Sequence, residues 1–286
     1  MDNFFKDINA INGFRKIDLE SVTVIEYNCP IDADVLPVWT PHDVLIHCLS
    51  GKKTWHSCDS KVQLTKGESL FVAKGAQIVH QSFEEHVCFL MVFIKDSFKQ
   101  QLKLEAAVGQ QLSSDAYVTL EPIHGTPNLS LYFNSVMSLL AQPIPPKPEL
   151  VTLKLKELVY LIWQDTRHQK IMDYLLCNIN SMDHLKSIMA HNYMYNLRLM
   201  DYASMCNRSL ASFKRDFGKC FGTSPGKWLM QKRMALANRL LRNSNLPVSD
   251  VAFQCGFEDA SHFGRTYKKY YNETPNTFKM RVKAQV

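Results

Sequence analysis

Between Ser21 and about Ile94, apolar and polar positions alternate in short runs cut by turn residues. Ser21-Val-Thr-Val-Ile-Glu-Tyr27 alternates and is rich in β-branched side chains. Asp43-Val-Leu-Ile-His-Cys-Leu49 runs into Ser50-Gly51, and Lys52-Lys-Thr-Trp-His-Ser57 resumes the pattern. Lys66-Gly67 leads into Glu68-Ser-Leu-Phe-Val-Ala73, Lys74-Gly75 turns again, and His86 to Ile94 reads as a long apolar strand. Turn signals at this spacing predict an antiparallel sandwich or barrel.

After Asp96 the period becomes helical. Residues 129–141 and 150–163 predict two helices, separated by Gln142-Pro-Ile-Pro-Pro-Lys-Pro148, which cannot be helical throughout. In the second, Leu150, Leu153, Leu158, Leu161 and Ile162 fall near one stripe. That stripe either packs on the sheet domain or pairs with its twin in a homodimer. From Ser181 onward the pattern is helical, punctuated at Asn207, Gly222-Thr-Ser-Pro225, Asn243-Ser-Asn-Leu-Pro247, Gly256 and Asn272-Glu-Thr-Pro275. The expected class is α+β with two domains, and the expected boundaries are 1–105 for the barrel, 106–177 for a helical linker, and 182–286 for an all-α domain.

Composition agrees with folded domains: of 286 residues, 46% are hydrophobic and 21% charged, which excludes disorder as the main state. The net charge of +6 divides unevenly. Residues 181–286 hold 17 Lys+Arg against 7 Asp+Glu, or +10, and the remainder carries −4. A basic C-terminal module on a slightly acidic N-terminal one points to a nucleic-acid binder with a second part attached. The N-terminus has no basic region followed by an apolar run of signal-peptide length, and the most apolar stretch, Val87–Ile94, is eight residues long. A membrane-spanning helix needs ~20. The expectation is a cytoplasmic protein with no membrane partner. Eight cysteines show no Cys-x-x-Cys pair and no zinc-finger spacing.

The C-terminal module repeats itself. Ser209-Leu-Ala-Ser-Phe213-Lys-Arg215-Asp-Phe217-Gly-Lys219 aligns with Asp259-Ala-Ser-His-Phe263-Gly-Arg265-Thr-Tyr267-Lys-Lys269 at a constant offset of 50. An aromatic and a Ser/Thr-Pro follow each copy: Phe221 with Ser224-Pro225, and Tyr271 with Thr274-Pro275. Upstream, Tyr202-Ala-Ser-Met-Cys206 aligns with Val251-Ala-Phe-Gln-Cys255 at an offset of 49. This predicts a duplicated helix–turn–helix. Ser209 and Asp259 are natural N-caps. Leu210, Phe213 and Phe217 make an inward stripe, as do Ala260, Phe263 and Tyr267. The other face carries Ala211, Lys214 and Arg215 in the first copy, and Ser261, His262 and Arg265 in the second. Small residues beside a projecting Arg suit a helix that enters a major groove and reaches guanine O6/N7. Lys219, Lys227, Lys232, Lys268 and Lys269 lie off the reading faces and are candidate phosphate contacts. A long helix from Ser224-Pro225 to about Arg242 would hold the two units apart.

The run Ser224-Pro-Gly-Lys-Trp-Leu…Arg233-Met-Ala-Leu-Ala237…Pro247-Val-Ser-Asp-Val-Ala252-Phe-Gln-Cys-Gly-Phe257-Glu-Asp-Ala-Ser-His-Phe263-Gly-Arg-Thr-Tyr-Lys268…Thr274-Pro275 resembles the AraC/XylS family of bacterial transcription regulators, over roughly residues 182–283. The resemblance implies a seven-helix domain with base-reading positions at Ala211, Lys214 and Arg215, then at Ala260, Ser261, His262 and Arg265. The first turn, Cys206-Asn207-Arg208, departs from the family's usual small pair. Lys66-Gly67-Glu68, Lys74-Gly75 and His80 resemble, more weakly, the family's cupin-like β-barrel with its helical dimerisation appendage. Such barrels bind a small effector in many members and answer to a regulatory protein in others. The expected partners are double-stranded DNA, a second copy through Leu150, Leu153, Leu158 and Leu161, an effector or regulatory protein, and RNA polymerase.

An enzymatic barrel is the remote alternative. His42, His47, His80 and His86 with Glu68 or Glu84 are the candidate metal ligands, but no His-x-His pair occurs. No motif places a Ser or Cys beside an oriented base. Neither a metal nor a cofactor is expected. An effector cavity would be lined by Trp39, Trp55, Phe71, His80 and Phe93, residues that equally well fill a small barrel.

Overall fold

The computed structural model describes residues 1–28, 35–81, 86–106, 118–176 and 181–284. It divides into two compact units, Asp2–Ile179 and Asn180–Val286. The first unit holds strands β1 (Asp2–Asn3), β2 (Lys16–Asp18), β3 (Val22–Asn28), β4 (Val35–Thr40), β5 (Asp43–Ser50), β6 (Lys52–His56), β7 (Lys61–Thr65), β8 (Ser69–Val72), β9 (Gly75–Gln81), β10 (Cys88–Ile94) and β11 (Leu120–Ile123). Its helices are α1 (Phe4–Ala10), α2 (Asp96–Ala106), α3 (Pro127–Leu140), α4 (Pro148–Trp163) and α5 (Gln169–Leu176).

The strands form two sheets, ordered β1-β4-β9-β6-β7 and β11-β8-β5-β10-β3-β2, that face each other without closing into one barrel. Strand alternation explains the long apolar run. Phe89, Met91 and Phe93 of β10 enter the core between the sheets with Tyr27, Ile46, Val38, Trp55 and Val79. The intervening Leu90, Val92 and Ile94 enter a second core with Val24, Leu45 and Phe71, roofed by Phe133, Leu155 and Tyr174. A strand buried on both faces must be apolar at every position.

Helix α4 presents a different stripe to the sheet from the expected one. Val151, Leu155, Leu158, Val159 and Ile162 are buried, Leu161 is half-buried against the same core, and Leu150 and Leu153 are exposed. Leu158 is thus taken up inside the unit and cannot form a seam with a second copy. The helix is apolar on more than one face, so a period of 3.6 alone does not decide which face turns inward.

A buried ionic cluster fastens α2 and α5 to the sheets. Asp43 is fully buried and accepts from Lys99 Nζ at 2.5 Å, the Lys74 amide at 2.9 Å and the Tyr174 hydroxyl at 2.8 Å. Asp96 accepts from both Lys74 (3.1 Å) and Lys99 (3.0 Å). Burial pushes the Asp43 carboxyl up, but Lys99 and Lys74 outweigh it and hold Asp43 below the usual carboxylate range. The same balance brings Asp96 down to about 2.

The second unit is α6 (Met182–Asn192), α7 (Leu199–Met205), α8 (Leu210–Phe221), α9 (Pro225–Asn243), α10 (Val248–Gln254), α11 (Ala260–Tyr271) and α12 (Pro275–Lys283). Its core joins Met234, Ala237 and Leu241 of α9 to Val251, Cys255, Phe263, Tyr267 and Phe278. No helix among the described residues is long and apolar enough to cross a membrane.

Candidate nucleic-acid interface

The sequence repeat is a repeat of three-dimensional parts. Ser209 caps α8 by accepting from the Ser212 amide, and Asp259 caps α11 by accepting from the Ser261 and His262 amides. Those amide bonds hold the Asp259 carboxyl below its ordinary range. Both helices stop at a left-handed residue, Gly222 (φ 65°) and Asn272 (φ 60°), each donating its amide to the carbonyl four residues back. Phe213 and Phe263 are fully buried, as are Phe217 and Tyr267, with ring centroids 5.7 Å apart within each copy. The correspondence runs into the next helix: Ser224-Pro225 and Thr274-Pro275 cap α9 and α12, and Trp228 meets Phe217 at 5.9 Å as Phe278 meets Tyr267 at 6.2 Å.

Between α7 and α8 the turn is made by Asn207 at φ 54°, and between α10 and α11 by Gly256 at φ 76°. The departure at Cys206-Asn207-Arg208 therefore keeps the turn, because Asn tolerates the left-handed region better than other side chains. Arg233 of α9 braces the second turn, donating to the carbonyls of Tyr193 (2.8 Å), Tyr195 (2.6 Å) and Gly256 (3.4 Å). Helix α9, with 19 residues, spans about 28 Å at 1.5 Å per residue. This is the scale on which two units meet grooves one helical turn, ~34 Å, apart.

The buried stripe leaves Ala211, Lys214 and Arg215 exposed on α8, and Ser261, His262 and Arg265 exposed on α11. Ala260 differs: it is half-buried and packs on the core of the unit, and its counterpart Leu210 is half-buried too. Ala260 thus stands on the apolar stripe, apart from the exposed Ser261, His262 and Arg265. Lys219, Lys227, Lys232, Lys268 and Lys269 are exposed, and the Lys232 ammonium lies 5.3 Å from the centroid of the Trp228 ring. An open cleft of about 670 Å³ lies between α8 and the start of α9, lined by Lys214, Gly218, Gly222, Ser224, Pro225 and Gly226. Sequence reasoning passed over Arg208 and Asp216, a pair at 3.1 Å joining the turn to α8; no local motif marks a contact between a turn and the helix it leads into.

In the first unit the supposed cavity residues do not converge. Trp55 and Phe93 fill the core between the sheets. Phe71 lies on the opposite face of its sheet, against Tyr174 at 5.9 Å. Neighbours along a strand point to opposite sides: Val79 faces the core, while the next residue, His80, meets the His56 ring at 4.3 Å in a tilted arrangement. Trp39 is buried with its Nε1 unpartnered. The candidate metal ligands are also dispersed. His47 bonds Ser69 Oγ at 2.9 Å and stacks on Phe133, His42 meets Phe5, Glu68 bonds Thr65, and His86 is exposed. Glu84 lies outside the described residues. Among the described residues no cluster of three or more His, Cys, Asp or Glu could hold a metal ion.

Residues 43–174 match the ExsA N-terminal regulatory domain, and residues 202–281 match a helix-turn-helix domain. The chain is 28% identical over 235 residues to the HTH-type transcriptional regulator ExsA of Pseudomonas aeruginosa, covering 80% of this chain and 82% of that one. It is 25% identical over 240 residues to the thermoregulatory protein LcrF of Yersinia pestis, covering 82% and 88%. It is 26% identical over 245 residues, with the same coverage, to the virulence regulon transcriptional activator VirF of Yersinia enterocolitica.

Proposed function

Because the chain belongs to the AraC/XylS family of transcription regulators, we propose that it docks α8 and α11 in successive major grooves on one face of double-stranded DNA. The chain is a DNA-binding transcription regulator and not an enzyme. The observation that carries the docking mode is the repeat: two reading helices with equivalent caps, turns and aromatic backing, each exposing an arginine at its centre (Arg215, Arg265). Arg215 and Arg265 would read guanine, with Ala211, Lys214, Ser261 and His262 beside them. Lys219, Lys227, Lys232, Lys268 and Lys269 would hold phosphates. The output is activation by contact with RNA polymerase, a reading supported by the activator name of the VirF relative. It acts in the cytoplasm. Mapping the genomic fragments bound by the full-length chain tests the reading, which requires protected sites about two helical turns long lying beside promoters.

The facing sheets, completed by β11 at Leu120–Ile123, support an open cupin-like reading, with the helices of 127–176 as its appendage and 182–286 as the DNA-binding part. We read the exposed Leu150, Leu153 and Tyr160 of α4 as the homodimer face, in place of the buried Leu158. Sedentary monomers at micromolar concentration by ultracentrifugation would count against it, and Leu153→Glu should dissociate a dimer. Control through the first unit comes from a small effector or, as a second reading, from a regulatory protein. The close packing of Trp55 and Phe93, 4% and 0% exposed, favours the second. A thermal-shift screen of metabolites against the full chain separates them, since stabilisation of the first unit by any compound favours the effector.

A further inference from the structure

The two reading helices agree in caps and aromatic backing, and differ in what stands behind the arginine. In the first copy the Arg208 side chain is only 7% exposed and donates from Nε to Asp216 Oδ2 at 3.1 Å. Its Nη1 donates to the Cys206 carbonyl at 3.0 Å. Asp216 Oδ1 in turn accepts from Arg215 Nε at 3.3 Å. Ser212 Oγ accepts from Arg215 Nη2 at 3.1 Å and donates to Asp216 Oδ2 at 3.3 Å. The second copy has no counterpart: Phe257 stands at the position of Arg208 and Thr266 at that of Asp216. Phe257 packs on Phe263 at 5.2 Å and on His262 at 5.5 Å.

This wiring leaves a defined part of Arg215 unused. A guanidinium is planar with five N–H donors. The Nε edge is taken by Asp216 and Ser212, which leaves Nη1 and the remaining Nη2 hydrogen at the far end. Two parallel donors at that end match guanine O6 and N7. An isolated surface pair would hold a 66% exposed arginine weakly. Asp216 is not isolated, because it is 14% exposed and fixed from behind by Arg208.

We propose that Asp216, held by Arg208, is a positioning residue that presets Arg215 for one guanine, so that the first unit discriminates its base more sharply than the second. This rests on Arg215 being a base-reading residue. A side chain already held in its bound rotamer loses less freedom on docking, an effect worth roughly two- to tenfold in affinity for the matching base.

The test uses the full-length chain and a duplex that the wild type selects from a random-sequence library, titrated by fluorescence anisotropy beside versions with one base pair changed. Arg215→Ala and Arg265→Ala first identify the pair each arginine reads. Asp216→Asn is expected to lower discrimination about two- to tenfold at the Arg215 pair and to leave the Arg265 pair unchanged. Asp216→Glu should restore part of the loss. Arg208→Met should produce the same position-specific loss, and it decides the matter if Asp216→Asn melts early. Unchanged or sharper discrimination in Asp216→Asn overturns the proposal, as does equal weakening at every position. If Arg215→Ala relaxes no base pair, the underlying reading fails and takes the proposal with it. If it relaxes one and neither Asp216→Asn nor Arg208→Met does, the proposal alone fails.

Discussion

Asn207 occupies in the first helix–turn–helix the place that Gly256 occupies in the second, 49 residues on, and both are left-handed, at φ 54° and 76°. The bonds around them match: Asn207 donates to Ser204 O at 2.9 Å and Gly256 to Phe253 O at 3.0 Å, while Arg208 and Phe257 donate to Ala203 O and Ala252 O. Their surroundings differ. A Cβ on Gly256 would lie 2.8 Å from the Met194 carbonyl oxygen, a backbone atom braced by its neighbours' bonds to Arg233. Gly256→Ala should therefore destabilise the second unit by about 2 kcal/mol or more, from strain and overlap together. Asn207→Gly should stay within about 0.5 kcal/mol of wild type. Chemical denaturation of the two variants checks the contrast, and equal effects would refute it.

Arginine and lysine substitutions should separate reading from holding. Arg265→Ala should cost about 1–3 kcal/mol at one position of the site and relax specificity there. Replacing Lys268 and Lys269 by Ala should weaken all sequences alike and flatten the dependence on salt by about one unit of slope per lost phosphate contact. Binding isotherms at several salt concentrations distinguish the two patterns; uniform weakening by Arg265→Ala would make it a phosphate contact.

Acid should loosen the first unit well above the carboxylate range. Burial lowers both His42 and His47 from 6.5 to about 4. The unfolded chain binds these protons at a higher pH than the folded one, so stability is full above about 6.5 and falls as the pH drops toward 4. Asp96, brought down to about 2, adds a second loss between its ordinary 3.8 and that value. Hydrogen exchange of the β10 amides in the full chain follows the transition. His47→Gln should remove one of the two protons from the upper window, and a protection factor, exchange corrected for its intrinsic pH dependence, that is flat from pH 6.5 to 4 would contradict the assignment.

Much of the second unit was legible because a repeat states each part twice. Ser209 and Asp259, Phe213 and Phe263, and the two Ser/Thr-Pro caps each confirm the other, and all lie in the structure as read. In the first unit, β3, β5, β6, β8 and β10 announce themselves by alternation or by an unbroken apolar run. Strands β4, β7 and β9 do not: Val35-Leu-Pro-Val-Trp-Thr40 carries a proline, and Gly75-Ala-Gln-Ile-Val-His-Gln81 has only part of its length apolar. These belong to the sheet with one face outside the cores. Helix α4 shows a further limit, since leucines on two of its faces make either one a plausible inner stripe. The Arg208–Asp216 contact depends on the folded turn, which residue spacing does not encode.

Arg215 and Arg265 stand at equivalent places in the two copies, from which one chain is proposed to read two groove segments. Base-by-base selection of binding sites by wild type, Arg215→Ala and Arg265→Ala measures that reading directly. Each variant is expected to lose preference at a different base pair, the two lying about one helical turn (roughly 10–10.5 bp) apart. Loss at the same pair, or at pairs half a turn apart on opposite faces of the duplex, would contradict it.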